Sequence, residues 1–191
     1  MTKQLLAILL MGMFVPSIIL AELTKKNPIE IDKAKNSITF LAKVNGKFLK
    51  KPTRHAVVFA KGSNGNKSIF KSFASHVQFY NTLKEIKAVP GDNMTLKNKE
   101  KTHVKGSDLK VTVSWENSGK EFDINEVITD SNDLPIVLRF GGNGVRAFKK
   151  KTGCLICLDS CPVGIVSNAV YSYGAVEKRG EVQFIGNELT L

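Results

Sequence analysis

The spacing of apolar residues predicts short strands in the first part of the chain. Residues 29–31 and 38–44 are apolar or alternate with polar residues, and an Asn45-Gly46 turn ends the second segment. Residues 55–60 form a continuous apolar segment, which is typical of a buried strand. Residues 67–72 are the candidate partner of that strand. These segments together predict a sheet.

The pattern changes to helical spacing over residues 75–87. Ser75 is a suitable N-cap, and Pro90-Gly91-Asp92 ends the helix. The residues that share one apolar face are Phe79, Leu83 and Ile86. This segment predicts the one main helix of the protein.

Strand patterns return in the second half of the chain. Residues 109–115 alternate as Leu-Lys-Val-Thr-Val-Ser-Trp, which predicts a strand with one buried face. Further strands are expected at residues 121–128, 136–140 and 181–185, with a turn at residues 130–133. Strands in succession with few helices predict an α+β fold, with a single domain, a mostly antiparallel sheet and a C-terminal cysteine loop.

The N-terminus has the features of a secretory signal peptide. Lys3 precedes an apolar segment from Leu5 to Leu20, and Ala21 supplies a small residue at the cleavage point. The apolar segment is shorter than the roughly 20 residues that span a bilayer. We therefore expect residues 1–21 to be removed and residues 22–191 to form one exported domain, periplasmic or extracellular, without a stable membrane span.

The composition is basic, with 28 Lys and Arg against 17 Asp and Glu, for a net charge of +11. Removing Lys3 with the signal peptide leaves a net charge of +10. The lysines are spread along the chain without interleaved aromatic residues, which favours a solvated surface over a nucleic-acid interface. Nucleic acid is therefore not an expected partner.

The chemistry of the chain is concentrated in its three cysteines, which follow the pattern Cys154-x2-Cys157-x3-Cys161-Pro162. This pattern equals the last three cysteines and the proline of a bacterial ferredoxin motif, with Lys151 at the position of the first cysteine. One interpretation is thus an iron–sulfur cluster. A second is a single soft metal ion, zinc or copper. The candidate fourth ligands of such an ion are His55, His76, His103 and Asp159.

A third interpretation is thiol–disulfide chemistry, because thiols tend to pair in an oxidising compartment. Cys154 could pair with Cys157, or Cys157 with Cys161, which would leave one thiol free. A reactive thiol of low pKa normally lies at a helix N-terminus, and Gly153 before Cys154 permits that arrangement.

The segment Gly153-Cys154-x2-Cys157-x3-Cys161-Pro162-x-Gly164-x2-Ser167-Asn168-Ala169-x-Tyr171 resembles the C-terminal signature of the YdjY-domain family. Three more segments agree with the family in order, namely His55-Ala56-Val57-Val58, Val89-Pro90-Gly91-Asp92-Asn93 and Leu138-Arg139-Phe140-Gly141-Gly142. The resemblance implies an exported single domain of unsettled function, often labelled ferredoxin-like because of its cysteine motif.

The family segments suggest that distant residues of the chain form one site. We hypothesise that His55, the turn at Arg139, Gly141 and Gly142, and the cysteine loop come together. The alternative is that Arg139 pairs with a carboxylate such as Asp159 and only holds the shape of the loop. Gly153 and Pro162 are expected to shape the cysteine segment, with Pro162 at a rigid corner.

The sequence predicts an exported protein whose cysteine loop binds a metal or iron–sulfur cofactor for electron transfer, with a redox or cell-envelope protein as partner. The alternative is a noncatalytic envelope-binding module that has no cofactor and whose loop is locked by a disulfide. The sequence does not decide whether the protein is an enzyme. It contains no G-x-S-x-G nucleophile motif, which argues against a serine hydrolase.

Overall fold

The computed structural model describes residues 23–48, 51–130, 132–175 and 182–184. The strands are β1 (Ile29–Asp32), β2 (Ser37–Phe40), β3 (Ala42–Val44), β4 (His55–Phe59), β5 (Phe70–Ser72), β6 (Asp108–Leu109), β7 (Thr112–Val113), β8 (Phe122–Asp123), β9 (Ile128–Asp130), β10 (Leu138–Phe140), β11 (Cys154–Cys157), β12 (Val166–Asn168) and β13 (Val182–Phe184). The helices are α1 (His76–Glu85), α2 (Ile124–Val127) and α3 (Gly144–Lys150).

The main sheet has the strand order β3-β5-β4-β11-β12-β10-β6. Its neighbouring strands are antiparallel except for two parallel pairs, β4 with β5 and β11 with β12. The predicted α+β class and the mostly antiparallel sheet are therefore confirmed. Strand β11 carries two of the cysteines and lies in the middle of the sheet, where it is shielded from solvent on both faces.

Helix α1 is the predicted main helix. The Ser75 side chain accepts a hydrogen bond from the Gln78 backbone N–H, and the Gln78 side chain accepts one from the Ser75 N–H. Phe79 and Leu83 of its apolar face are buried in the core. The capping box thus marks where the helix begins, and the apolar face determines how the helix packs.

Two predicted strands are divided in the structure. Residues 109–115 do not form one strand, because β6 pairs with β10 whereas β7 pairs with β8. Between them the Val111 carbonyl accepts a hydrogen bond from Ile124 N–H, so the chain leaves one sheet and joins another. Residues 121–128 likewise contain β8, α2 and the start of β9, because Asp123 and Glu126 form a capping box that starts the helix.

Some expectations lie outside the described residues, namely the signal peptide at residues 1–21, Ser131 in the predicted turn and the two ends of the predicted strand 181–185. Within the described residues, no helix has the length and apolar character that crossing a membrane requires. The cysteine segment is more regular than the predicted loop. Cys154 and Cys157 belong to a strand, and Cys161 lies in the turn that follows it.

Two buried clusters lie on the two faces of β4 and β11. The larger cluster is the core of the domain and includes Ala56 and Val57 from β4 and Leu155 and Ile156 from β11. The smaller cluster contains Val58 and the three cysteines, with Val163 and Tyr173 packed against it. The sheet therefore separates the cysteine sulfurs from the main core.

Candidate metal centre

An irregular pairing of β4 with β11 brings Cys154 and Cys157 to the same face of the sheet. Side chains alternate along a regular strand, so residues three apart would face opposite sides. Here Cys154 is opposite Val58, Ile156 is opposite Val57, and Cys157 is opposite His55. One extra residue is present first in β11 and then in β4, and such bulges redirect side chains. Both sulfurs consequently face the smaller cluster.

His55 joins the two cysteines from the neighbouring strand. The Sγ atoms of Cys154 and Cys157 and a ring nitrogen of His55 all lie within 4.8 Å of one another. The Nδ1 atom of His55 is 3.8 Å from Cys154 Sγ, and Asn64 Nδ2 donates to that sulfur over 3.7 Å. The cysteines are at most 2% exposed, whereas His55 is only partly buried. The site is thus a buried cluster of sulfur and nitrogen donors, in which the histidine is the most exposed residue.

The thiols have strongly different proton affinities. A hydrogen bond from the Cys157 thiol, opposed by burial and reinforced by His55, lowers the pKa of Cys154 to about 4. Interactions with Cys154 and Cys161, together with burial, raise the pKa of Cys157 well above its ordinary value. The lowered pKa of Cys154 favours its thiolate form, and metals bind thiolates in preference to thiols.

Cys161 lies beside Cys157 in a tight turn. Its carbonyl accepts a hydrogen bond from Gly164 N–H over 3.3 Å, and its N–H donates to Ser167 Oγ over 3.3 Å. A Cβ at Gly164 would lie only 2.9 Å from Cys157 Sγ. Glycine is required there because the turn presses against the sulfur.

The glycine-rich turn after β10 braces this cysteine turn. Gly142 has a positive φ of 78°, and the side-chain amide of Asn143 donates to the carbonyls of Cys161 and Gly164, each over 3.3 Å. Arg146 Nη1 donates to the Pro162 carbonyl over 2.7 Å. The turn at Gly141 and Gly142 therefore lies near the cysteine segment, and Asn143, the next residue, makes the hydrogen bonds between them. Pro162 lies in the corner that these hydrogen bonds hold.

Arg139 and Asp159 do not form the pair named as the alternative. Arg139 Nε donates to Asp108 over 2.8 Å, on the β6 side of the sheet. The Oδ2 atom of the fully buried Asp159 forms an ion pair with Arg54 Nη2 over 3.1 Å and accepts a hydrogen bond from Gly174 N–H over 2.7 Å. Asp159 is thus held by an arginine that the sequence analysis overlooked.

Cys154 does not lie at a helix N-terminus, the arrangement that Gly153 would have permitted, because it begins strand β11. Gly153 has a φ of 80° and leads into β11, and a Cβ there would lie 2.9 Å from the Gly62 Cα. Glycine is needed at this position because the two backbones approach closely.

The other two histidines are not part of the group of donors. His103 is exposed, and its Nδ1 lies 2.6 Å from the Ala169 carbonyl. His76 is 9% exposed and lies between the rings of Phe59 and Phe148. Neither ring nitrogen of His76 has a hydrogen-bond partner among the described residues.

Arg54, Asn64 and Tyr173 complete the surroundings of the site. The Arg54 guanidinium carbon is 3.9 Å from the centre of the Tyr173 ring, and Lys99 Nζ is 4.2 Å from the same centre. The position of Arg54 directly before His55, at the start of an apolar strand, is the only signal that sequence reasoning had for it. Asn64 and Tyr173 contact the site from turns that contain no sequence motif.

Comparison with known proteins identifies the family of the chain. The family model described as YdjY domain matches residues 29–191. The chain is 53% identical over 169 residues to "Uncharacterized protein YdjY" of Escherichia coli (strain K12), and the match covers 88% of this chain and 75% of that protein. No solved structure matches the chain. The chain therefore belongs to the YdjY-domain family.

Proposed function

We propose that this protein binds a single soft metal ion through His55, Cys154 and Cys157, with Cys161 as the fourth ligand. The observation that supports the proposal is the group of three donor atoms within 4.8 Å of one another, one from each residue. In a tetrahedral zinc site, a thiolate sulfur and an imidazole nitrogen lie roughly 3.6 Å apart. The distance of 3.8 Å between Cys154 Sγ and His55 Nδ1 is close to that value.

The donor set favours zinc or Cu(I) over hard cations. Thiolate and imidazole are the ligands that these ions prefer, and hard cations such as Mg²⁺ prefer oxygen. Burial of all three cysteines argues against a site that activates water, since such a site needs an open position. A bound copper ion would supply one-electron chemistry, and a bound zinc ion would supply structural cross-linking.

An iron–sulfur cluster fits the surroundings less well. In a [4Fe–4S] cluster of the ferredoxin type each cysteine binds a different iron, so the sulfurs must be held apart around it. Here the Sγ atoms of Cys154 and Cys157 lie within 4.8 Å of each other, Cys161 packs in the same cluster, and a Cβ at Gly164 would lie only 2.9 Å from Cys157 Sγ. We therefore place one ion, not a cluster, between the cysteines.

We also propose a location and a partner. The predicted signal peptide at residues 1–21 supports export of the protein, and its proposed partner is a redox or cell-envelope protein that exchanges electrons or the ion with it. The N-terminal segment contains no twin arginine, so we expect the chain to be exported unfolded. A cluster assembled in the cytoplasm would not travel with an unfolded chain, which further favours a single ion acquired after export.

Metal analysis of the mature protein, residues 22–191, tests the proposal. The protein is purified without oxygen and without an affinity-metal column, and its metal and inorganic sulfide are measured. We expect one equivalent of zinc or copper and no sulfide, with loss of the ion in Cys154→Ser and retention in His103→Gln. His103 is a matched control because it is a histidine outside the group.

Two results would contradict the proposal. Iron with equimolar sulfide would indicate a cluster in place of a single ion. Protein that stays metal-free after incubation with Zn²⁺ and with Cu(I), and has lost two thiol hydrogens by mass spectrometry, would support the disulfide-locked module. In the structure described above all three cysteines are free thiols.

A further inference from the structure

The loop between β4 and β5, residues 60–69, is attached to the segment that leads into β11. The backbone N–H of Asn64 donates to the Thr152 carbonyl over 3.1 Å. A Cβ at Gly62 would lie 2.5 Å from the same carbonyl oxygen, so the two backbones approach closely there. The loop is therefore fixed against the residues that directly precede Cys154.

This attachment holds the side chain of Asn64 next to the cysteine cluster. The side chain is partly buried, and its Nδ2 atom donates to Cys154 Sγ over 3.7 Å. The Asn64 carbonyl accepts a hydrogen bond from Lys67 N–H over 2.8 Å, so the backbone of Asn64 is bonded at both its polar groups. The amide thus reaches the sulfur from a fixed backbone, and forming this hydrogen bond costs little additional conformational entropy.

Two nitrogen atoms from different elements lie next to Cys154 Sγ. His55 Nδ1 is 3.8 Å from the sulfur, and Asn64 Nδ2 is 3.7 Å from it. An imidazole nitrogen can bind a metal ion through its lone pair, whereas the amide nitrogen of asparagine is only a hydrogen-bond donor. His55 can therefore share an ion with Cys154, and the Asn64 amide nitrogen can bind only the sulfur itself.

A hydrogen bond to this sulfur is important because the sulfur is buried. Cys154 is 1% exposed, so water does not solvate the sulfur lone pairs that a bound ion leaves free. Hydrogen bonds to an ionised acceptor are stronger than those between neutral groups. A group that donates to a metal ligand also fixes the direction of that ligand, and its loss weakens metal binding by about 10–100-fold.

We propose that Asn64 positions Cys154 for the metal ion, by donating a hydrogen bond from its side-chain amide to the sulfur of the bound cysteine. This inference rests on the proposed metal-binding function. Asn64 is a positioning residue, since it acts through Cys154 and does not touch the ion. The competing explanation is that Asn64 only stabilises the turn of its own loop.

The test compares the wild type with Asn64→Leu and Asn66→Leu. Leucine has nearly the shape of asparagine but no hydrogen-bond donor, so Asn64→Leu removes the bond to sulfur and leaves the volume almost unchanged. Asn66→Leu is the matched control, because Asn66 lies in the same loop and its Oδ1 accepts from Lys71 Nζ over 2.8 Å. Urea unfolding of the metal-free proteins establishes that each variant folds.

We expect Asn64→Leu to bind Zn²⁺ about 10–100-fold more weakly than the wild type in a chelator competition assay. Asn66→Leu is expected to bind Zn²⁺ as the wild type does. Co²⁺-loaded protein gives a second readout, because a hydrogen bond lowers the energy of the sulfur lone pairs. The sulfur-to-metal charge-transfer band should therefore move to longer wavelength in Asn64→Leu, and a merely structural role would not move it.

The wild type provides a readout that needs no variant. In Zn²⁺-loaded protein, one side-chain amide proton of Asn64 should resonate downfield of those of Asn66 and exchange more slowly with solvent, because it is bonded to a buried sulfur. Nuclear magnetic resonance spectra of ¹⁵N-labelled protein measure both properties. This measurement decides between the two explanations even where Asn64→Leu fails to fold.

Three outcomes overturn the inference. Unchanged Zn²⁺ affinity in Asn64→Leu would show that Cys154 is positioned without this residue. Weaker binding with an unchanged charge-transfer band would reduce Asn64 to a structural role, and so would Asn64 amide protons that exchange as fast as those of Asn66. A wild type that binds neither Zn²⁺ nor Co²⁺ would instead remove the proposed function itself, so the two failures are distinguishable.

Discussion

Replacement of His76 by phenylalanine is expected to stabilise the protein. His76 is 9% exposed, and neither of its ring nitrogens has a hydrogen-bond partner among the described residues. A neutral imidazole contains one donor and one acceptor, and leaving a buried polar group without a partner costs about 1–3 kcal/mol. Phenylalanine removes that cost and retains the aromatic contacts with Phe59 and Phe148.

The expected net gain is smaller than the full cost, because the phenylalanine ring is slightly larger than imidazole and the site is closely packed. We expect His76→Phe to raise the free energy of unfolding by about 1 kcal/mol, which corresponds to about 2–4 °C in Tm for a domain of this size. Urea unfolding and calorimetry on metal-free protein measure both quantities. The matched control is His103→Phe, which loses the contact with the Ala169 carbonyl and exposes an apolar ring, and is expected not to stabilise.

The same substitution has a signature in pH. Burial lowers the pKa of His76 below its ordinary 6.5, with a smaller opposing effect from Cys154. The unfolded chain therefore takes up a proton at a higher pH than the folded protein does. Above pH 6.5, His76 thus adds no pH dependence to the free energy of unfolding. As the pH falls below that value, His76 lowers the free energy of unfolding.

The gain from His76→Phe should therefore grow as the pH is lowered from neutral to about 5. Stability equal to or lower than that of the wild type, or a gain in stability that does not change with pH, would refute the reasoning. It would mean that His76 has a partner that compensates its burial.

Three further predictions concern the site and its frame. Gly164→Ala would place a Cβ 2.9 Å from Cys157 Sγ, so the sulfur must shift. We therefore expect this variant to bind Zn²⁺ more weakly in a competition assay with a chromophoric chelator. Unchanged affinity would contradict the close contact. Gly153→Ala combines a positive φ with a clash against Gly62, so we expect the free energy of unfolding to fall by at least about 2 kcal/mol. Urea unfolding measures this change, and a neutral effect would contradict the prediction. Metal-free protein should show one thiolate by ultraviolet absorbance that protonates near pH 4 and is missing in Cys154→Ser, whereas absorbance that rises only at alkaline pH would argue against a preformed thiolate.

The elements that were predicted from the sequence are those fixed by local patterns. Helix α1 has its own cap and apolar face, and β4 has a continuous apolar segment, so neither depends on distant residues. The strand predicted at residues 109–115 was divided because Val111 is bound by Ile124 from a later segment. Alternation indicates which face is buried, but it does not show which sheet provides the partner.

The candidate site was predicted in part for the same reason. The cysteine motif and His55 are visible as residue types, and the structure brings His55, Cys154 and Cys157 together. The bulges that turn Cys154 and Cys157 to one face depend on the register between β4 and β11, which has no signature in either segment alone. The pairing of Asp159 with Arg54 instead of Arg139 also depends on register, since several arginines were available on sequence grounds.

The strand order has a consequence for the time at which the site can exist. His55 and Cys154 are 99 positions apart, and β11 lies between β4 and β12 in the finished sheet. Contacts of such long range form late, because closing a long loop is entropically unfavourable until other contacts support it. We therefore expect the three ligands to be assembled only after nearly the whole chain has been synthesised and has begun to fold. Under the proposed function, the bound ion would then be determined by the compartment in which folding is completed, and not by the compartment in which the chain is made.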